Sequence, residues 1–159
     1  MNRRDALKVA LFASGGILVA CRTGRTSARV LSDEDQVLAE EIADTLLPTT
    51  AGSPGAKAAG TGAAMNLILS DCYTPADQRL FHEGLERFRA KNFLNLSRGD
   101  RETFVRSVGR QAWFAPVRDL ALGAYFSSET GMTQALRYVR VPGKYVGCMP
   151  LELGQPAWG

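Results

Sequence analysis

Residues 74–92, TPADQRLFHEGLERFRAKN, contain the clearest helix signal in the chain. Thr74 is a preferred N-cap residue, and Pro75 would occupy the first helical position, where a missing amide hydrogen costs nothing. An apolar stripe follows at spacings of four and three, formed by Phe81, Leu85 and Phe88. Because residues at those spacings share one helix face, the stretch predicts the longest helix of the fold, ending near Asn92, with that face in the core.

Helical spacing continues along most of the chain after Leu31, whereas strand signals are nearly absent. Ser32 and Ser97 are further N-cap candidates, each followed by an aspartate three residues later. With the apolar runs at 63–71 and 117–126, these signals predict an all-α domain: a compact bundle of about five helices with an irregular C-terminal arm. Type II turns are expected at Pro54-Gly55 and at Val141-Pro142-Gly143-Lys144.

The first 21 residues have the pattern of an export signal. A basic start runs into residues 9–20, which are apolar or small, and a helix of that length covers about 18 Å, too short to span a hydrocarbon core of about 30 Å. This pattern indicates a signal peptide. The residues that resemble the twin-arginine consensus are Arg3, Arg4, Leu7 and Lys8. An ordinary secretory signal is the alternative.

Cys21 follows Leu18-Val19-Ala20 and with them resembles a bacterial lipobox, in which the cysteine is acylated and becomes the mature N-terminus. The alternative is a chance cysteine at the end of the apolar region. The predicted organisation is a twin-arginine lipoprotein signal over residues 1–21, a polar tether over 22–30 and one helical domain over 31–159. A lipid anchor would hold that domain at the membrane, on the periplasmic side of the cell envelope.

Composition and charge exclude several functions. With 159 residues, 45% of them apolar, the chain suits a single domain. The net charge is +3, and three positive charges lie within the first eight residues, so the remainder is nearly neutral and no nucleic-acid partner is expected. One histidine and three cysteines are too few for His-rich metal sites, all-cysteine zinc sites or iron–sulfur clusters, and no cofactor is predicted on this chain.

His82 and the two remaining cysteines are the residues most able to carry chemistry. His82 lacks a recognisable nucleophile or partner, so a structural role is favoured over an acid–base one. Cys72 and Cys148 are expected to form a disulfide in an exported protein, and two free buried thiols are the alternative. A disulfide across so long a loop would contribute about 4 kcal/mol in the chain-entropy account and would fix the C-terminal arm to the start of the long helix.

Aromatic residues crowd the last third of the chain. Most are expected in the core, but aromatic residues on irregular backbone are also typical of protein–protein contacts. The predicted partner-binding residues are Tyr125, Phe126, Tyr138, Pro142, Tyr145 and Trp158.

Five segments, in order along the chain, resemble a known family, and they cover nearly all of the predicted domain. They are IADTLLPTT (42–50), SPGA (53–56), DCY with PADQ (71–73 and 75–78), GAYFSSETG (123–131) and ALRYVRVPGKYVGC (135–148). Together they are similar to the small, third subunit of membrane-associated gluconate 2-dehydrogenase, a family that includes the small subunits of bacterial FAD-dependent glucose and fructose dehydrogenases.

The resemblance implies a complex of a large FAD-dependent dehydrogenase subunit, a cytochrome c subunit and this small subunit. FAD and haem are then expected on the partners. The small subunit would be non-catalytic, would carry the twin-arginine signal to the translocase for a folded flavoprotein without a signal of its own, and would stabilise or tether it. A free-standing envelope lipoprotein that binds a small ligand or a cell-envelope component is the alternative, and an independent enzyme that uses His82 is a third, less favoured hypothesis.

Overall fold

Five α-helices make up most of the part of the chain that the computed structural model describes, which is residues 30–141, 143–144 and 147–158. They are α1 (Asp33–Leu46), α2 (Thr61–Cys72), α3 (Pro75–Ala90), α4 (Arg98–Val108) and α5 (Ala115–Phe126). Short 3-10 turns at Phe93–Asn95 and Ala112–Phe114 and a π-turn at Gly131–Ala135 complete the regular structure. These ranges contain two isolated β-bridges and no strand, so the predicted all-α class is confirmed.

The export signal at Arg3, Arg4, Leu7 and Lys8 and the lipobox Cys21 lie outside the described residues, as do Pro142 and Tyr145. The predictions that rest on them stay predictions. Among the residues that are described, no helix combines the length and the apolar character needed to cross a bilayer.

The three predicted N-caps are all present. The hydroxyl oxygens of Ser32, Thr74 and Ser97 accept the amide hydrogen three residues on, at 3.1, 3.3 and 3.3 Å. Each such cap contributes about 1 kcal/mol, because it satisfies an amide that has no partner inside the helix. At 16 residues α3 is the longest helix, and it ends at Ala90, just before Asn92 takes a left-handed φ of 53°.

The core forms where α5 packs against α1, α2 and α3. The predicted stripe of Phe81, Leu85 and Phe88 is fully buried there. The Phe88 ring stands edge-on to Phe93 and Phe104, with centroid distances of 5.0 and 5.3 Å. Such edge-to-face pairs add to the stabilisation that burial itself provides, so this face of α3 is the centre of the fold.

The loop between α1 and α2 corrects one sequence prediction. A type II turn at Pro54-Gly55 needs a positive φ at Gly55, but the described residues with positive φ are others, among them Gly60. Gly55 instead donates its amide hydrogen to Thr49 Oγ1 at 3.0 Å, and an added Cβ would lie 2.7 Å from the Thr49 amide nitrogen. Close approach to Thr49, rather than turn type, therefore requires glycine here. At Gly143, φ is 69°, as the second predicted turn requires.

A buried residue just before α1 is held by a hydrogen bond that the sequence did not reveal. Leu31 is almost fully buried, and its amide hydrogen is donated to the side-chain oxygen of Asn66 in α2, at 3.0 Å. Asn66 is one of only two buried polar side chains in the described part of the chain. This hydrogen bond fixes the backbone directly after the predicted tether.

Candidate partner-binding surface

Tyr125, near the end of α5, was predicted to contact a partner. In the structure it is a core residue. Only 2% of its surface is exposed. Its hydroxyl donates to the Pro54 carbonyl at 2.5 Å and lies 2.8 Å from Ser53 Oγ. Buried tyrosines usually find such a partner for the hydroxyl, and here the partner is the α1–α2 loop. Phe126 is half-buried with its ring edge-on to Tyr125, at 5.0 Å.

Gly131 reverses the chain after α5. A Cβ at this position would lie 2.1 Å from the Tyr125 carbonyl oxygen, so the π-turn passes too close to α5 for any larger residue. Ser128 holds the approach, because its hydroxyl donates to that same carbonyl at 2.6 Å and accepts the Gly131 amide hydrogen at 3.0 Å. The turn therefore sends the chain back along the end of the helical bundle.

Residues 137 and 158 close the C-terminal segment into a loop. The Arg137 amide donates to the Ala157 carbonyl at 2.7 Å, and the Arg137 guanidinium carbon lies 4.3 Å from the centroid of the Trp158 ring. A parallel bridge joins Arg137 and Trp158. We call these three residues the clasp, and residues 138–156 the C-terminal loop. The predicted arm has no helix in its described residues, as expected, but it is a closed loop and not an open tail.

The C-terminal loop and its clasp carry most of the exposed apolar surface. Of eleven large exposed apolar side chains in the described ranges, seven lie here: Tyr138, Val139, Val141, Met149, Leu151, Leu153 and Trp158. The predicted contact residues Tyr138 and Trp158 are each 47% exposed, whereas Leu151 and Leu153 reach 87% and 108%. A concentration of apolar exposure in one segment is typical of an interaction site.

An apolar cavity of about 320 Å³ lies beneath the clasp. Its walls come from the end of α1, the α1–α2 loop, the end of α5, the π-turn and Ala157. A second, more polar groove of about 470 Å³ lies at the start of α1, where Asp33 and Glu34 flank Val37, Phe93 and Leu94.

Several charged side chains of the helices and of the α1–α2 loop form ion pairs. Glu41 in α1 pairs with Lys57 and, at 2.6 Å, with Arg101 in α4, which also donates to the Phe93 carbonyl at 3.1 Å. The hydrogen bond to Glu41 raises the pKa of Lys57, against the lowering effect of burial. Within the described ranges no group of three His, Cys, Asp or Glu side chains could hold a metal ion. His82 is half-buried, with its ring edge-on to Phe81 at 6.4 Å.

Residues 33–143 match the family model described as gluconate 2-dehydrogenase subunit 3. The chain belongs to the gluconate 2-dehydrogenase subunit 3 family. The resemblance stated from the five segments is thereby confirmed. No curated protein and no solved structure matches the chain.

Four of the segments that carry the likeness to gluconate 2-dehydrogenase subunit 3 meet at one end of the bundle. The segments 42–50, 53–56, 123–131 and 135–148 all contribute walls to the cavity beneath the clasp. The family match begins with α1, contains all five described helices and stops at residue 143, inside the C-terminal loop. The second half of that loop therefore lies beyond the part shared with the subunit 3 family.

Cys72 and Cys148 are both exposed free thiols in this structure of a subunit 3 protein. The predicted disulfide is thus absent from it, and burial, which was the alternative, is wrong for both thiols. Cys72 ends α2, whereas Cys148 lies in the C-terminal loop. The disulfide stays a prediction for the exported protein. Mass spectrometry under non-reducing conditions checks it, and two thiols that react with an alkylating reagent would contradict it.

Proposed function

We propose that this chain is a non-catalytic accessory subunit of a periplasmic FAD-dependent gluconate or sugar dehydrogenase complex. Its role is to supply the twin-arginine export signal for the large flavoprotein subunit and to stabilise or tether that subunit at the membrane. The observation that carries the proposal is the match of residues 33–143 to gluconate 2-dehydrogenase subunit 3. FAD belongs on the large subunit and haem on a cytochrome c subunit.

The chemistry of flavin insertion supports shared export. FAD enters a folded protein, so a flavoprotein assembled in the cytosol has to cross the membrane folded, which is the cargo that the twin-arginine pathway accepts. Arg3 and Arg4 match the consensus for that pathway. One signal on the small subunit then serves both chains, provided that the two subunits bind each other before transport.

The anchored start of the domain supports the tethering role. A lipid on Cys21 would connect to the domain through the predicted tether, in which residues 22–29 are polar and rich in Thr, Ser and Arg. Any force between membrane and complex then acts first on Leu31, whose backbone is held by Asn66 and whose side chain is buried. A fixed backbone directly after a polar tether suits a chain that holds a partner at a membrane.

Replacing Arg3 and Arg4 together by lysine tests the export role. The double variant should leave both this chain and its flavoprotein in the cytosol, because the translocase reads the arginine pair. The measurement is flavin-dependent dehydrogenase activity in periplasmic and cytosolic fractions. Arg25→Lys with Arg29→Lys, which changes the tether by the same chemistry, is the matched control and should export normally. Unaltered export of the flavoprotein by the first variant would contradict the proposal.

The second candidate function, a free-standing envelope lipoprotein that binds a small ligand, rests on the groove of about 470 Å³ at the start of α1. Pockets of this size hold small molecules in many proteins. Affinity purification of the chain from solubilised membranes separates the two functions. A co-purifying large flavoprotein, seen in the absorption spectrum and by mass spectrometry, supports the accessory role, whereas a colourless lone lipoprotein supports ligand binding.

A further inference from the structure

Near its C-terminal end, the C-terminal loop contains an ordered turn over residues 152–155. The Gln155 amide donates to the Glu152 carbonyl at 3.1 Å, and the Glu152 amide donates back to Gln155 Oε1 at 3.3 Å. Gly154 takes a φ of 79°, the value that the third position of a type II turn requires. Leu153, the second residue of this turn, is fully exposed, and Leu151 precedes the turn. Leu153 is thus displayed by the turn itself, and Leu151 directly before it.

Two constraints prepare this turn for binding. The clasp joins the ends of the C-terminal loop, through the Arg137–Ala157 hydrogen bond and the Arg137–Trp158 contact, and the turn fixes residues 152–155 close to the clasp. A segment already ordered before binding loses less conformational entropy on binding. Each leucine that moves from water into an apolar groove releases free energy, because its apolar surface is removed from water. Such a loop has the properties of a docking element.

The charges of the C-terminal loop indicate what kind of surface receives it. Arg140 and Lys144 are positive and Glu152, between the two exposed leucines, is negative. An anionic lipid surface would attract Arg140 and Lys144 but repel the Glu152 carboxylate, which lies between the two leucines in sequence. A protein groove can instead supply a basic side chain for Glu152 and acidic ones for Arg140 and Lys144. The charge pattern therefore favours a protein partner over a membrane.

The extent of the family match places this turn outside the shared part of the subunit. Residues 33–143 match the family, whereas the turn lies at residues 152–155. The shared part includes the helices and the segments around the cavity beneath the clasp. The turn lies outside the family match. The clasp nevertheless connects it to an end of the bundle that lies inside the match.

We propose that the C-terminal loop docks into the large flavoprotein subunit, with Leu151 and Leu153 in an apolar groove that has an acidic margin for Arg140 and Lys144 and a basic group for Glu152. The turn, outside the family match, lets the chain select its own large subunit. This inference rests on the proposed function, because it names the surface by which the accessory subunit holds its partner.

Site-specific cross-linking tests where the partner binds. A photo-reactive benzoylphenylalanine replaces Leu153 in the full chain, which is expressed in its own host, irradiated in cells and purified. The matched control carries the same group at Leu67, an exposed leucine of α2. Mass spectrometry should identify a peptide of the flavin-containing subunit attached at position 153 and not at position 67. Attachment at 153 to phospholipid, to a second copy of this chain or to the cytochrome would overturn the proposal.

Substitution measures how much the two leucines contribute. Leu151→Ser with Leu153→Ser should lower the flavin absorbance that co-purifies with the chain by about tenfold, which corresponds to a loss of about 1.4 kcal/mol in binding free energy. Leu67→Ser with Leu80→Ser removes two exposed leucines of the helical body and should leave it unchanged. Circular dichroism should show the same helix content in both variants. Equal flavin recovery from both would overturn the docking role but leave the accessory function standing, whereas a wild-type chain that brings down no flavoprotein would end both.

Discussion

The helical body, residues 33–126, and the C-terminal loop differ in what holds them in place. In the body, the apolar stripe of α3 is buried against α5 and surrounded by aromatic rings. In the loop, the large apolar side chains that the structure describes face solvent, and among the described residues a backbone hydrogen bond and a cation–π contact close its base. The body thus uses its apolar surface for its own folding, whereas the loop keeps its apolar surface available for another molecule.

Truncating one side chain in each region should give the largest contrast. Phe88→Ala removes the ring at the centre of the body and should lower the free energy of unfolding by about 3–5 kcal/mol, because a buried cavity replaces it. Leu153→Ala in the loop should change it by less than about 0.5 kcal/mol, since that side chain is solvated in the folded protein. Urea unfolding followed by circular dichroism measures both. A large loss for Leu153→Ala would mean that the loop packs on the body.

The same contrast explains what the sequence could reveal. The caps at Ser32, Thr74 and Ser97 and the stripe of α3 depend on residues three or four apart, and these local signals predicted three of the five helices closely. The other two, α2 and α5, were predicted from apolar runs alone, and each begins two residues before its run, at Thr61 and at Ala115. Local spacing is therefore sufficient for the helical body.

The features that position the surface depend on residues far apart in sequence. Tyr125 was predicted among the partner-binding residues, but its hydroxyl donates a hydrogen bond to the Pro54 carbonyl, 71 positions away in sequence. The clasp and the Leu31–Asn66 hydrogen bond likewise join distant residues, with no periodic signal. The Pro54-Gly55 pair predicted a type II turn, but close contact with Thr49 is what requires the glycine. Tertiary contacts of this kind have no local pattern from which to predict them.

Gly131 links the two regions, and a methyl group there should disturb their junction. Gly131→Ala places a Cβ 2.1 Å from the Tyr125 carbonyl oxygen, a contact that backbone movement has to relieve. We expect a loss of about 1–3 kcal/mol in the free energy of unfolding, the range for an overpacked site. Gly123→Ala in α5 is the control, because its Cβ would meet nothing within 4 Å, and it should be neutral or slightly stabilising. Equal stability of the two variants would show that the π-turn can shift away from α5 without a cost in free energy.

Removing the Arg137–Trp158 contact of the clasp should loosen the C-terminal loop without unfolding the helical body. Trp158→Ala removes the ring beneath Arg137 and should lower the free energy of unfolding by no more than about 1 kcal/mol, because an exposed cation–π contact contributes little. Limited proteolysis should nevertheless cut faster within residues 138–156, where the chain loses its closed base. Val37→Ala, which truncates an exposed side chain of α1, should leave both measurements unchanged. Unchanged cleavage in Trp158→Ala would show that other contacts hold the loop.

The smallest effect concerns pH and the body alone. Burial raises the pKa of Tyr73, with smaller contributions from the charges of Asp119 and Asp77, so the folded chain keeps the phenol proton to higher pH than the unfolded chain does. The resulting stabilisation is complete below the ordinary tyrosine pKa of about 10 and is lost as pH rises through the higher folded value. The free energy of unfolding should therefore fall less above pH ~10 in Tyr73→Phe than in the wild type. Identical alkaline profiles for Tyr73→Phe and the wild type would mean that burial does not hold the Tyr73 proton.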